Sequence, residues 1–280
     1  MKTILLKMLT SPYPIRAMLI RRLVNWHRGP PSYMDRLAIG DLDRPHYAYC
    51  IFQAAKLAWL LNYPRISIIE FGCGGGNGLI NAEMHIREVI KILPVEIELY
   101  GFDMESGLPP PRDYRDMPHY FQRGFYSMDR HALEQKLTFT KLVIGDVKDT
   151  CATFFHDHDP APIGCMLFDL DFYSATRDAL TLIDVDASRF LPRVFVYFDD
   201  IIGDDVWLCN DFTGERLAIE EFNRDHSSQK ISKCYYLPFH YPNLLWPHQV
   251  YVYHDFKHPR YNDFVGAREQ SWHAQFIKLK

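Results

Sequence analysis

Between residues 65 and 200 the chain repeats one pattern. A short, nearly continuous apolar run is followed by a polar break, and then by a stretch whose apolar positions recur at helical spacing. The apolar runs are "RISIIEF" (65–71), "IELYGFD" (97–103), "TKLVIGD" (140–146), "IGCMLFDLD" (163–171) and "RVFVYFDD" (193–200). Runs this short and this apolar predict strands buried on both faces. Between and after them the spacing predicts helices: residues 77–93, ended by Pro94, then "DRHALEQKL" (129–137), a short helix after the third run, "SATRDALTLI" (174–183) and "GERLAIEEFNRD" (214–225). Upstream, "HYAYCIFQAAKLAWLLNY" (46–63) predicts a long, mostly buried helix. Downstream, "KISKCYYLP" (230–238) and "HQVYVYH" (248–254) predict two antiparallel strands. Five alternations of strand and helix predict a Rossmann-like α/β fold. Its seven-stranded sheet is mostly parallel with an antiparallel last strand, and helices cover both faces.

Ligands of such sheets bind beyond the carboxyl ends of the strands. Each of the five runs ends in acid: Glu70 before a glycine stretch, then Asp103, Asp146, the pair Asp169 and Asp171, and the pair Asp199 and Asp200. Like charges repel, so this many carboxylates on one rim call for a ligand rather than a structural explanation.

The glycine stretch, "EFGCGGGNGL" (70–79), holds five glycines within seven residues. Glycines after a first strand let the backbone turn tightly and approach a ligand, with the next helix pointing its N-terminus at it. A P-loop would need Gly-Lys-Ser or Gly-Lys-Thr, whereas Gly78 is followed by Leu79. The dinucleotide fingerprint GxGxxG fails at Asn77 in one register and at Leu79 in the other. An acid followed by alternate glycines suits S-adenosylmethionine, and Glu70, Gly72, Gly74 and Gly76 have that spacing. This cofactor has no phosphate and carries a positive sulfur and an ammonium, which favour nearby carboxylate. Asp103 would accept the ribose hydroxyls and Asp146 would lie within reach of the adenine amino group.

Asp169, Asp171, Asp199 and Asp200, on strands expected to be neighbours, cannot all stay ionised without a cation. Oxygen-only donors select a hard ion, Mg²⁺ first, with Mn²⁺ or Ca²⁺ as alternatives.

With both constellations in view, the sequence resembles the macrocin O-methyltransferase family of class I methyltransferases, magnesium-dependent enzymes acting on sugar hydroxyls of glycosylated natural products. The resemblance is carried by "EFGCGGGNG", "YGFDMESGLP", "GDVKDT", "DLDFYSAT", "FDD" and "GERLAIEEF", in the family's order, over residues 66 to 226. It implies that Asp169, Asp199 and Asp200 are metal ligands, that Asp171 is the general base and that Asp103 binds the ribose. The chain departs from the family at Ser106, where Glu is usual, and at "LPRVF" (191–195). The implied activity is methyl transfer from S-adenosylmethionine to a hydroxyl of a sugar, glycan or glycosylated small molecule. A dehydrogenase using NAD on the same sheet, and a scaffold that keeps the fold without turnover, are the alternatives.

Composition narrows the setting. The 280 residues, 48% apolar and 15% aromatic, suffice for one large α/β domain with an extension. The expected division is a basic arm and linker over 1–45 and a methyltransferase domain over 46–280. A net charge of −4 argues against a nucleic-acid surface. The six cysteines form no CxxC and suit a reducing compartment, the cytoplasm. The first 28 residues carry Lys2, Lys7, Arg16, Arg21, Arg22 and Arg28, with no acid before Asp35. Lys7 interrupts the apolar stretch, and no small-residue cleavage site follows, so a signal peptide is not expected. Such an arm packs on its own domain, meets a second subunit of a homo-oligomer, or lies on an anionic membrane.

Three further features carry weaker expectations. "HDHD" (156–159) reads as a polar loop rather than a metal site, and His240, His248 and His254 are alternative bases. The aromatic stretch 234–248 either walls a substrate pocket or covers the sheet edge. The long segment from Met104 to Tyr126 is expected to close over the cofactor, with Arg112, Arg115 and Arg123 facing an anionic acceptor or solvent.

Overall fold

A computed structural model describes residues 31–242 and 244–266. The basic arm and the last fourteen residues lie outside the described residues.

The apolar runs form the strands β1 (Arg65–Phe71), β2 (Glu96–Asp103), β3 (Lys141–Ile144), β4 (Ile163–Phe168) and β5 (Phe190–Phe198), followed by β6 (Gln229–Lys233) and β7 (Val250–Asp255). They build one seven-stranded sheet in the order β3-β2-β1-β4-β5-β7-β6. The first five pair in parallel, and β7 inserts antiparallel between β5 and β6. The expected sheet is thus the observed one. The chain order reverses between β1 and β4, which opens a cleft at their carboxyl ends.

Helices α1 (Tyr33–Ala38) and α2 (Pro45–Leu60) precede β1, and α3 (Asn77–Val89) links β1 to β2. Helix α2 packs on α3 and lies over β5, β4 and β1. Its residues are buried on nearly every side, from Tyr47 to Ala58, and its alanines let it settle closely on the sheet. A second layer is formed by α5 (Val147–His158), α6 (Tyr173–Leu180) and α7 (Gly214–Asp225), packed in succession. Short α4 (Arg130–Glu134) follows the long β2 loop, and α8 (Leu237–His240) precedes β7.

The described part of the expected arm and linker, residues 31–45, is packed structure. Ser32 and Asp35 form a capping box that starts α1. Asp43 then accepts from the Asn81 side chain at 3.0 Å, and the Asp43 carbonyl meets His85 Nε2 at 2.8 Å, which holds the segment against α3. Leu37 and Leu42 join the core.

The core has a feature that positions everything above it. Phe102, Phe71, Phe168 and Phe198 lie side by side across β2, β1, β4 and β5, paired in register. Successive ring centroids are 4.9, 4.8 and 4.7 Å apart. The next residue along each strand continues the backbone ladder: Gly72 N–H donates to the Phe102 carbonyl, Asp169 to that of Phe71 and Asp199 to that of Phe168. Side chains alternate faces along a strand. Asp103, Asp169 and Asp199, each following one of these buried rings, are therefore delivered in one row at the sheet's edge.

Candidate active site

A cavity of about 420 Å³ opens over the β1–β4 cleft. Glu70, Gly72, Gly74, Asp103, Asp146, Asp169, Asp171, Asp199 and Asp200, all selected from the sequence, line it; Gly76, the N-cap of α3, packs against Leu133 and is not among the lining residues.

The glycine loop is shaped by contacts that only glycine permits at two positions. Gly72 has φ +80, and a Cβ there would stand 1.8 Å from the Asp169 carbonyl oxygen. Gly78 lies so close to Glu70 that a Cβ would meet its Oε1 at 1.9 Å. Gly75 instead faces open space, and a Cβ at Gly74 would only reach ordinary contact with Tyr126, at 3.8 Å. The loop's amides are gathered by Asp103: Oδ2 accepts from Cys73 and Gly74 N–H at 2.8 and 2.9 Å, and Oδ1 from Glu105 N–H at 2.6 Å. A carboxylate has about four acceptor sites, so Asp103 retains capacity toward the cavity while it also sets the loop's shape. Asp146 N-caps α5, accepting from Lys148 N–H at 2.9 Å. Glu70 is 1% exposed and accepts from Tyr47 OH at 3.1 Å, and its Oε2 has no partner among the described residues.

Asp169, Asp199 and Asp200 bring carboxylate oxygens within 4.8 Å of one another. Tyr197 OH donates to Asp199 Oδ1 at 2.5 Å, and Gln249 Nε2 to the Asp199 carbonyl at 2.6 Å. Asp200 is buried, and its N–H donates to Glu215 Oε2 at 2.9 Å. Asp171 is 7% exposed and sits in the left-handed region at φ +60, a costly conformation for aspartate. It is not one of the three clustered carboxylates.

Burial and mutual repulsion shift Glu70, Asp169, Asp171, Asp200 and Glu215 upward. Asp169 is pushed up to about 7 by burial and then by Asp199. Asp171 reaches about 8 through burial and then Asp169, and Glu70 about 8 for the same two reasons. Asp200 and Glu215 are raised well above the carboxylate range by burial and by their acidic neighbours. Charged together these groups would destabilise the site, and a hard divalent cation is the partner their oxygen-only donor set fits. Glu215, whose Oε2 accepts from the Asp200 N–H, keeps a buried Oε1 without a partner among the described residues.

The β2 loop forms the cavity's roof. It is closed at its base by the Leu108 N–H bond to Phe125 O and the Gly124 N–H bond to Leu108 O, each 2.8 Å. Buried Asp116 accepts from Ser174 N–H at 2.8 Å and Oγ at 2.9 Å, joining the loop to the start of α6. Across the mouth, Tyr120 stacks on Trp207 with centroids 5.4 Å apart and rings 7° from parallel. Tyr126, at φ +62, stands beside them.

Several site residues were not selected from the sequence: Arg44, Tyr120, Tyr126, Trp207 and Glu215. The aromatics lie in irregular segments without periodicity, and Glu215 could have been found as the acid opening the helix "GERLAIEEF". Other expectations separate from the site. His156 and Asp157 pair with each other in an exposed turn of α5, and none of His240, His248 or His254 lines the cavity. The described residues of the aromatic stretch 234–248 do not line the cavity; they pack on α1 and α2, with Tyr236 OH bonded to Tyr49 OH, Trp246 against the Tyr49 ring and Tyr241 OH donating to the Leu37 carbonyl. Arg112 pairs with buried Asp178 at 2.8 Å and Arg115 with Asp113 at 2.7 Å. All six cysteines are free thiols, and no helix among the described residues is long and apolar enough to cross a membrane.

No protein-family model matches the chain, and no curated protein does. Among solved structures the chain is similar to the calicheamicin methyltransferase CalS11, at 20% identity over 88% of this chain and 94% of that one, with a TM-score of 0.51. It is also similar to the O-methyltransferase NovP, at 14% identity over 76% and 81% of the two chains, with a TM-score of 0.51. At these identities the likeness is one of architecture, and the architecture is the Rossmann-like fold of the class I methyltransferases.

Proposed function

We propose that the protein is a metal-dependent O-methyltransferase that moves a methyl group from S-adenosylmethionine to a hydroxyl of a sugar or glycosylated small molecule. One observation carries the reading: the glycine loop with its acids and the Asp169–Asp199–Asp200 cluster with Asp171 share one cavity. The fold supports it, since the two similar structures above are a methyltransferase of calicheamicin and an O-methyltransferase. Free thiols throughout suit the cytoplasm.

In this reading the glycine loop, Asp103 and Asp146 bind the cofactor, which supplies an electrophilic methyl; the chain supplies orientation. Asp169, Asp199 and Asp200 would hold Mg²⁺, which would supply Lewis-acid polarisation of an acceptor hydroxyl. Asp171 accepts the hydroxyl proton as the methyl is transferred. Its burial and its acidic neighbours make it a stronger base than an exposed aspartate. The stacked Tyr120 and Trp207 and the neighbouring Tyr126 offer flat apolar surfaces to the acceptor.

Calorimetric titration with S-adenosylhomocysteine and with NAD⁺ tests the reading, on the wild type and on Asp103→Ala. Binding of the former alone, weakened in the variant, is the expected result and opens a screen of sugar acceptors with Mg²⁺. Binding of NAD⁺ instead would overturn it in favour of an oxidoreductase. A thermal melt of the variant separates lost binding from lost folding, because Asp103 also holds the glycine loop.

A further inference from the structure

Two arginines line the cavity, and their surroundings differ. Arg112 is paired with Asp178 at 2.8 Å. Arg44 is half-buried at the start of α2; its guanidinium makes no hydrogen bond or ion pair with any described residue and lies 5.3 Å from the centroid of the Tyr47 ring. Its backbone is left-handed, φ +43 and ψ +62, which for a residue with a side chain costs energy and is kept only where the surroundings enforce it. A guanidinium carries five donors in a planar fork, and leaving them unmet in a half-buried position is unfavourable.

The sheet order fixes what stands opposite each end of a bound cofactor. Asp146 and Asp103 lie beyond β3 and β2, at one end of the row, and Glu70 and Asp169 lie beyond β1 and β4. With its adenosine at the first pair, S-adenosylmethionine directs its amino-acid end toward the second. That end is a zwitterion. Glu70 and Asp169 suit its ammonium, and its carboxylate would be repelled by every acid there. Arg44 is the cation in electrostatic reach of Glu70, Asp169 and Asp199.

Resting on the cofactor reading above, we propose that Arg44 binds the α-carboxylate of S-adenosylmethionine through its guanidinium fork. The cavity thereby recognises both charges of the amino-acid end. Arg44 is a binding residue, outside the acid cluster and on a different element.

The test compares two nucleosides by calorimetry: S-adenosylhomocysteine, which has the amino-acid end, and 5′-methylthioadenosine, which lacks it. Arg44→Met should weaken S-adenosylhomocysteine by about tenfold to a hundredfold, the range of a charge-assisted contact. It should leave 5′-methylthioadenosine within about twofold, and Arg44→Lys should fall between. Unchanged S-adenosylhomocysteine affinity in Arg44→Met would overturn the assignment, as would an equal loss for both nucleosides, the mark of a merely structural role. If the wild type binds neither nucleoside, the cofactor reading itself is wrong and the assignment falls with it.

Discussion

Asp171 donates its backbone N–H to Asp200 Oδ2 at 2.8 Å, so the aspartate assigned as base is tied to a proposed metal ligand by its main chain and not by its side chain. Asp171→Asn leaves that bond in place. The variant should therefore fold and bind Mn²⁺ like the wild type, while turnover falls by about 10²- to 10⁴-fold, the span of general-base catalysis. Electron paramagnetic resonance of Mn²⁺, beside initial rates with any acceptor the wild type methylates, separates the two effects. Normal rates would remove Asp171 from the mechanism.

The same geometry makes Asp200→Asn a different variant. It removes a charge from the cluster and weakens the acceptor of the Asp171 N–H. Mn²⁺ affinity should fall at least about tenfold, with S-adenosylhomocysteine affinity held within a few-fold. Retained Mn²⁺ affinity would show that the cluster is not the metal site.

Stability should depend on pH in a way the cation reverses. Glu70 and Asp171 are pushed up to about 8 and Asp169 to about 7, burial being the first cause in each. The folded state thus keeps protons that the unfolded chain releases near pH 4. Their contribution is complete below about pH 4 and is lost as pH rises through about 7 to 8. Mg²⁺ displaces those protons, so it should raise the melting temperature more at pH 8 than at pH 6. Equal shifts at the two pH values would contradict the link.

Glu83 offers a control away from the cavity. This buried residue of α3 accepts from Thr138, Phe139 and Thr140 N–H and from Thr140 Oγ1, at 2.7 to 3.0 Å to Oε1. Burial alone would raise its pKa, but these donors outweigh burial and hold it below the usual carboxylate range. Glu83→Gln should cost about 2–4 kcal/mol in urea unfolding and leave S-adenosylhomocysteine affinity nearly unchanged. A loss of affinity without a loss of stability would place Glu83 in the site.

The acids were legible because regular structure delivers them: "FD" recurs at 102–103, 168–169 and 198–199, and strands in register carry each Asp to the same rim. The glycines were legible for a related reason, since positive φ and close approach leave few other residues possible. The roof was not. Nothing in "PRDYRDMPHYFQRGFY" marks Tyr120 as the partner of Trp207, 87 residues later, because that pairing is made by loops whose meeting depends on the whole fold. Arg44 was hidden differently: an arginine between Asp43 and Pro45 reads as punctuation before a helix, and only the turn of α2 onto the sheet brings it to the cavity.

The four phenylalanines beneath the acids divide the molecule into a part that can vary and a part that cannot. Rings packed tilted or stacked on one another in a solid interior tolerate little change in volume, and shifting any one strand would dislodge an acid from the row. The Tyr120 and Trp207 loops rest instead on a separate small cluster, Met117, Phe121 and Phe172. A change of acceptor can therefore be sought by rebuilding those two loops together with that small cluster, leaving the aromatic floor beneath the acids unaltered.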